Sequence, residues 1–123
     1  MNTILSGSAG AISVYIIKES LLRYASVPQG YQIISVCCGL LAGLVSGTAA
    51  CNNIHQWAAI IIGFVGGFVY ILGCIFLYKF RIDDPVETIQ VHGFCGAWGV
   101  LAVGIFDIDR GVIFSGNIRF LGI

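Results

Sequence analysis

Apolar residues fall into four long runs along this chain, and the runs predict four helices. They occupy residues 4–23, 31–51, 57–78 and 85–106 and are separated by short polar breaks. A helix rises about 1.5 Å per residue, so roughly 20 apolar residues are enough to cross the hydrocarbon core of a bilayer. The pattern therefore predicts an all-α integral membrane protein with four transmembrane helices.

The composition favours the same class of protein. Hydrophobic residues make up 58% of the chain and charged residues 10%, whereas a soluble domain carries about 25% charged residues. The formal net charge is zero, so we expect no nucleic-acid partner that binds through its phosphates. The five cysteines lie in or beside apolar runs without a C-x-x-C pattern, and we interpret them as packing residues.

Closely spaced glycines mark three of the runs. In lipid, helices associate through close packing, and small residues three or four positions apart let two backbones approach each other. We therefore expect helix packing at these glycines. At Gly39, Gly43 and Gly47, a substrate site formed by a broken helix is the weaker alternative, since no charged residue accompanies them. The predicted packing residues are Gly39, Gly43, Gly47, Gly63, Gly67, Gly93 and Gly96.

The polar break before the fourth run has the pattern of a helix start. Asp84 can accept hydrogen bonds from free backbone N–H groups, and Pro85 suits the first helical position, where no donor is needed. Glu87 follows the cap by three residues and lies near the positive end of the helix dipole. We predict a helix that begins at Pro85, with these three residues in capping roles.

His92 is the candidate functional residue. It is the one side chain between Thr88 and Phe106 that titrates near neutral pH, and it lies roughly 10 Å beyond the predicted helix start. An ionisable residue inside a membrane helix is a functional-site hypothesis by default. Thr88 and Cys95, at i−4 and i+3, are predicted to share its face. The alternative is a structural histidine that is hydrogen-bonded to a neighbouring helix.

The distribution of Lys and Arg predicts the orientation. Lys18 and Arg23 lie between the first and second runs, and Lys79 and Arg81 lie between the third and fourth. Basic loops stay in the cytoplasm, so these four residues predict a cytoplasmic side. Both termini, including the tail 107–123, are then extracellular.

The segment 83–99 contains the patterns D-D-P-x-E and Q-V-H-G-x-C-G-x-W-G. In these patterns it resembles the ammonium transporter/Rhesus family, and its ammonium-transporter branch in particular. The stretches 2–7, 39–45 and 57–61 resemble the same family in the same order, so the likeness covers nearly the whole chain.

This resemblance implies a function and an architecture. Members of the family have eleven membrane helices, form homotrimers and carry ammonium or ammonia through a pore in each protomer. This chain resembles helices seven to ten, as an incomplete copy of that fold. His92 matches the second of two paired pore histidines, and Thr88 matches a pore-lining position. The expected partners are ammonium or ammonia and the lipid bilayer, in the plasma membrane, with no cofactor and no enzymatic activity.

Two other functions fit the sequence. The chain could be a non-conducting structural or regulatory fragment that packs with full-length relatives, because the first pore histidine is not among its residues. It could instead be a bundle that binds haem or a metal through His92 together with His55 or Cys95.

Overall fold

The computed structural model describes residues 1–24 and 32–108, and of residues 22–24 and 32 it describes the backbone alone. Its elements are all helical, so the predicted all-α class is confirmed for the described part of the chain. The break around Pro28 and the tail from residue 109 lie outside the described residues. The elements are α1 (Asn2–Tyr24), α2 (Gln32–Thr48), α3 (Gln56–Lys79), a π-helical segment (Ile89–Phe94) and α4 (Cys95–Phe106).

Helices that follow one another in the chain run antiparallel. At one end, here called the Asn53 end, the Asn53 amide donates to Asp107 Oδ1 (2.8 Å), and the Asn2 amide donates to the Cys51 carbonyl (3.1 Å). At the opposite end, the Glu87 end, Lys18 donates to the Ser35 hydroxyl. Helix α1 packs mainly against α2 and α3, whereas α4 packs against α2 and α3 from another side.

The first three helices touch each other at backbone level around Ser6. Ser6 is fully buried in α1, and its hydroxyl donates to the Gly43 carbonyl of α2 (2.7 Å). A Cβ added to Gly43 or to Gly63 of α3 would overlap the Ser6 carbonyl oxygen, and one added to Gly47 would lie 2.5 Å from the Ser6 hydroxyl. Glycine is therefore required where α2 and α3 meet this residue.

A second set of close approaches lies about two turns further along α1. A Cβ on Gly39 would lie 2.7 Å from the Val14 side chain, and one on Gly67 would overlap the Ser13 hydroxyl. The glycines predicted in α2 and α3 thus all lie at helix contacts. Their common partner is α1, whose buried serines were not recognised from the sequence.

Gly93 and Gly96 make no comparably close approach within the described residues, and their packing role stays a prediction. The nearest atom to a Cβ on Gly93 would be the Ile89 side chain at 3.8 Å, and on Gly96 it would be Val45 Cγ1 at 3.9 Å. Gly99 makes the close approach instead, because its Cβ would lie 2.8 Å from the Ser46 carbonyl oxygen. Gly99 is therefore the glycine at which α4 meets the backbone of α2.

Two apolar clusters fill the interior, one toward each end of the bundle. The cluster at the Asn53 end includes Ile62, Ala102 and Phe106. The cluster nearer the Glu87 end contains Val14 and Tyr70, with Cys38 and Cys74 packed against it. The core is therefore built from all four helices.

Two helix boundaries differ from the predictions. Helix α2 ends at Thr48 rather than near residue 51, because the chain turns there and the Asn53 N–H bonds the Ala50 carbonyl (3.1 Å). The fourth helical stretch begins at Thr88 and not at Pro85. Pro85 lies inside a turn that is closed by the Glu87 N–H and the Asp84 carbonyl (3.2 Å), and Glu87 has a left-handed φ of 56°.

Two helical stretches of the described chain are long and apolar enough to span a bilayer. They are Gln56–Lys79 and Ile89–Phe106, and the apolar helix Ile33–Thr48 is shorter. Both stretches qualify by their length and composition alone.

Candidate functional site

The π-helical segment carries His92 outward, away from the core. Thr88, His92 and Gly93 are exposed, whereas Gln90 and Val91 are buried. Thr88 and His92 therefore both lie on the exposed side, in agreement with their four-residue spacing. π-Helical turns are rare and occur frequently at functional sites. The sequence pattern did not predict this one.

Cys95 does not share the face of His92, so that prediction is wrong. In a regular α-helix, residues three apart lie about 60° apart around the axis. The wider π-turn changes this angle, and Cys95 points into the core, where it is fully buried and its thiol donates to the Gly66 carbonyl (3.4 Å). Cys95 therefore cannot orient the His92 ring.

An otherwise apolar surface continues from His92 along α4. We call the outward residues Thr88, His92, Gly93, Ala97 and Val100 the His92 face; all five are exposed. No hydrogen bond joins the His92 imidazole to another of the described residues. Within the part of the chain that the structure describes, His92 is therefore not a structural histidine that is hydrogen-bonded to a neighbouring helix.

Helix α4 is anchored to α3 by two side-chain donors on its inner side. Besides the Cys95 thiol, the Trp98 indole N–H donates to the Ile62 carbonyl (3.2 Å). Ile62 and Gly66 are four residues apart, so their carbonyls lie on one face of α3. These bonds fix which side of α4 faces the core, and hence which side is exposed.

Asp84 caps the π-helical segment, although it lies five residues before the N–H that it binds. Its Oδ2 accepts a hydrogen bond from the Ile89 N–H (2.8 Å). In the amide orientation that satisfies its hydrogen bonds, the Gln90 side-chain nitrogen donates to the same Asp84 oxygen (2.9 Å) and to the Glu87 carbonyl (3.0 Å). The predicted role of Asp84 is thus present, with a different geometry.

Glu87 does not complete a capping box. Its carboxylate accepts a hydrogen bond from the hydroxyl of Tyr70, a fully buried residue of α3. Sequence reasoning missed Tyr70. The available signal was a tyrosine in the middle of the most apolar run, since a buried tyrosine hydroxyl usually requires a hydrogen-bond partner.

The geometry does not support a shared haem or metal site. His55 lies at the Asn53 end, where its ring stacks on Trp57 at 6.4 Å between centroids. His92 lies between Gln90 and Phe94, whose side chains are next to Gly73 of α3. Gly73 is 17 residues, or about 26 Å, along α3 from its first residue, which adjoins His55. Among the described residues, no group of three His, Cys, Asp or Glu side chains is placed to hold a metal ion.

Comparison with known proteins identifies the family of this chain. The model of the Ammonium Transporter Family matches residues 1–122. The chain belongs to the ammonium transporter family. It is 38% identical over 119 residues to ammonium transporter 1 member 2 of Arabidopsis thaliana, covering 95% of this chain and 22% of that protein. It is 36% identical over 130 residues to ammonium transporter 3 of Dictyostelium discoideum, covering 95% of this chain and 28% of that protein.

The solved structures give the same result for the fold. The crystal structure of Saccharomyces cerevisiae Mep2 matches with a TM-score of 0.81 and 27% sequence identity, over 99% of this chain and 29% of that one. This ammonium transporter family chain therefore has the helical fold of one part of Mep2. It spans between a fifth and a third of the length of the relatives described here.

Proposed function

We propose that this chain forms part of a membrane transporter for ammonium or ammonia, in which His92 and Thr88 line the substrate path. One observation carries the proposal: in a chain of the ammonium transporter family, a histidine without a hydrogen-bond partner among the described residues lies on an exposed helix face that is apolar apart from His92 and Thr88. An imidazole on such a face needs a hydrogen-bonding partner or a substrate opposite it. Transport, and no enzymatic reaction, is the activity that we propose.

The chemistry of the imidazole suits this substrate. A neutral imidazole has one N–H donor and one nitrogen acceptor. It can therefore donate to the lone pair of ammonia or accept a hydrogen bond from ammonium. Moving a bare cation into an apolar path is costly, and a group that shares the proton reduces this cost without adding a fixed charge. Thr88 adds a hydroxyl on the same exposed side.

We place all four helices across the bilayer, in a multi-pass protein of the plasma membrane. Helix α1 is about 34 Å long and α2 about 26 Å, so α2 requires a thinner bilayer or flanking residues at the interface. Large exposed apolar side chains support contact with lipid or with further helices. They include Ile12, Ile34, Leu41, Ile61, Phe68 and Leu72. The complete transporter is proposed to be a homotrimer.

We predict that the Glu87 end is cytoplasmic and that the tail 107–123 is extracellular, because Lys18, Lys79 and Arg81 lie at the Glu87 end. In intact cells, a cysteine introduced by Lys79→Cys should react with a membrane-impermeant thiol reagent only after permeabilisation. Gln56→Cys, at the other end of α3, is the matched control and should react from outside. Labelling is measured above that of the unsubstituted protein. Reaction of Lys79→Cys from outside would invert the proposed topology.

Transport is tested in a chimera. In this chimera, the chain replaces the matching segment of Arabidopsis thaliana ammonium transporter 1 member 2, with which it aligns over 119 residues. We expect the chimera to restore growth on limiting ammonium to cells that lack their own ammonium transporters. The 123 residues expressed alone should reach the membrane without restoring growth, because the His92 face has no wall opposite it among the described residues.

A chimera that reaches the membrane and carries no ammonium would contradict the proposal. Growth restored by the 123 residues alone, and abolished by His92→Ala, would show that no additional wall is required.

The exposed His92 face also suits a second candidate function, a non-conducting structural or regulatory fragment that packs against full-length relatives. This function predicts that co-expression of the 123 residues changes ammonium uptake by a full-length relative, while the chimera itself carries no ammonium. The two functions therefore differ in the activity of the chimera.

A further inference from the structure

We infer that Tyr70 is a positioning residue for the His92 face: its hydroxyl, bonded to Glu87, holds the turn from which Thr88 and His92 project. Tyr70 itself lies in the core and does not touch the proposed path. The expected effect of Tyr70 on transport rests on the proposed function, whereas its expected effect on the position of Thr88 rests on the geometry alone.

The bond joins two elements that are distant in sequence. Tyr70 is fully buried in α3, and its hydroxyl donates to Glu87 Oε2, which is partly buried. A buried hydroxyl and a carboxylate form a hydrogen bond that is stronger than one between neutral groups. Removing the hydroxyl leaves the carboxylate without this donor, and partly buried charges tolerate that loss poorly.

The backbone of Glu87 requires such support. Its φ of 56° lies in the left-handed region, which is uncommon for a residue with a side chain. The Glu87 N–H donates to the Asp84 carbonyl, and the Glu87 carbonyl accepts from the Val91 N–H, both at 3.2 Å. The main chain is thus held on both sides of Glu87, and Tyr70 holds its side chain to α3.

The conformation of Glu87 decides the direction of the residues that follow. Thr88 is the next residue, and His92 lies one π-turn later, whereas α4 is fixed to α3 by Cys95 and Trp98. The sequence pattern favours a regular helix that starts at Pro85, and this alternative needs a right-handed Glu87. Adopting it would turn Thr88 and His92 relative to the fixed α4. The Tyr70 bond opposes this change.

The test is Tyr70→Phe in the chimera, because it keeps the buried ring and removes one oxygen. We expect the maximal rate of methylammonium uptake to fall about threefold or more, in line with the loss of one hydrogen bond. Tyr78→Phe is the matched control: it removes the same oxygen from an exposed tyrosine on the same helix and should leave uptake unchanged. Glu87→Gln retains an acceptor for Tyr70 and should lose less activity than Glu87→Ala.

A structural readout separates positioning from transport. A cysteine introduced by Thr88→Cys should react with a water-soluble thiol reagent at a rate that changes about threefold or more when Tyr70→Phe is added. In a double-mutant cycle, Tyr70→Phe and Glu87→Ala together should lower uptake no further than the more damaging of the two substitutions alone, because both remove the same hydrogen bond.

The outcomes distinguish the two proposals. If His92→Ala lowers uptake while Tyr70→Phe changes neither uptake nor Thr88→Cys labelling, the positioning role of Tyr70 is overturned and the proposed function stands. If Tyr70→Phe changes the labelling while His92→Ala leaves uptake intact, the positioning role stands and the proposed function fails. Additive losses in the double-mutant cycle would also overturn the inference.

Discussion

Replacing His92 with Ala in the chimera is expected to lower ammonium or methylammonium uptake on the order of tenfold or more. Loss of one hydrogen-bonding partner from a path of low polarity costs about 1–3 kcal/mol, and each 1.4 kcal/mol corresponds to a factor of ten. Because His92 is exposed and makes no hydrogen bond to the other described residues, the substitution removes no internal contact of that kind. The amount of protein in the membrane should therefore stay the same.

His55→Ala is the matched control for this substitution. It removes the other histidine of the chain, which lies at the Asn53 end and stacks on Trp57. Its uptake should remain close to that of the unsubstituted chimera. Unchanged uptake and unchanged ion selectivity in His92→Ala would exclude the pore role of His92.

Among glycine-to-alanine substitutions in this chain, Gly63→Ala is expected to lower the free energy of unfolding most. The new Cβ would overlap the backbone carbonyl of Ser6, and no side-chain rotation can relieve a clash with backbone. Helices α1 and α3 would have to separate, and overpacking of this kind costs about 1–3 kcal/mol. The intrinsic helical preference of Ala over Gly recovers about 1 kcal/mol at most. Denaturant unfolding in detergent micelles measures the difference.

Gly96→Ala provides the internal comparison. There the new Cβ would lie 3.9 Å from Val45 Cγ1, which is ordinary van der Waals contact. The same change of residue in another helix should therefore leave stability unchanged or raise it slightly. Equal stability of the two variants would show that Ser6 and Gly63 are not in backbone contact in the folded protein.

The sequence alone was sufficient for the helices and for part of the site. Long apolar runs separated by polar breaks determine where helices can form, since both signals are local. The same holds for Asp84, whose carboxylate binds a backbone N–H only five residues away. The spacing of Thr88 and His92 likewise predicted a common face, because a four-residue separation returns to nearly the same side of a helix.

Contacts between distant residues decided the rest. The buried Ser6 meets Gly43 and Gly63 only once three helices are packed together. Glu87 has a left-handed φ and is hydrogen-bonded to Tyr70, 17 residues earlier in the chain. A π-turn follows Glu87, Cys95 points inward, and the helical stretch starts beyond Pro85. Local preference favoured a regular helix from Pro85. Tertiary contacts can outweigh such a preference, because propensity differences amount to only about 1 kcal/mol per residue.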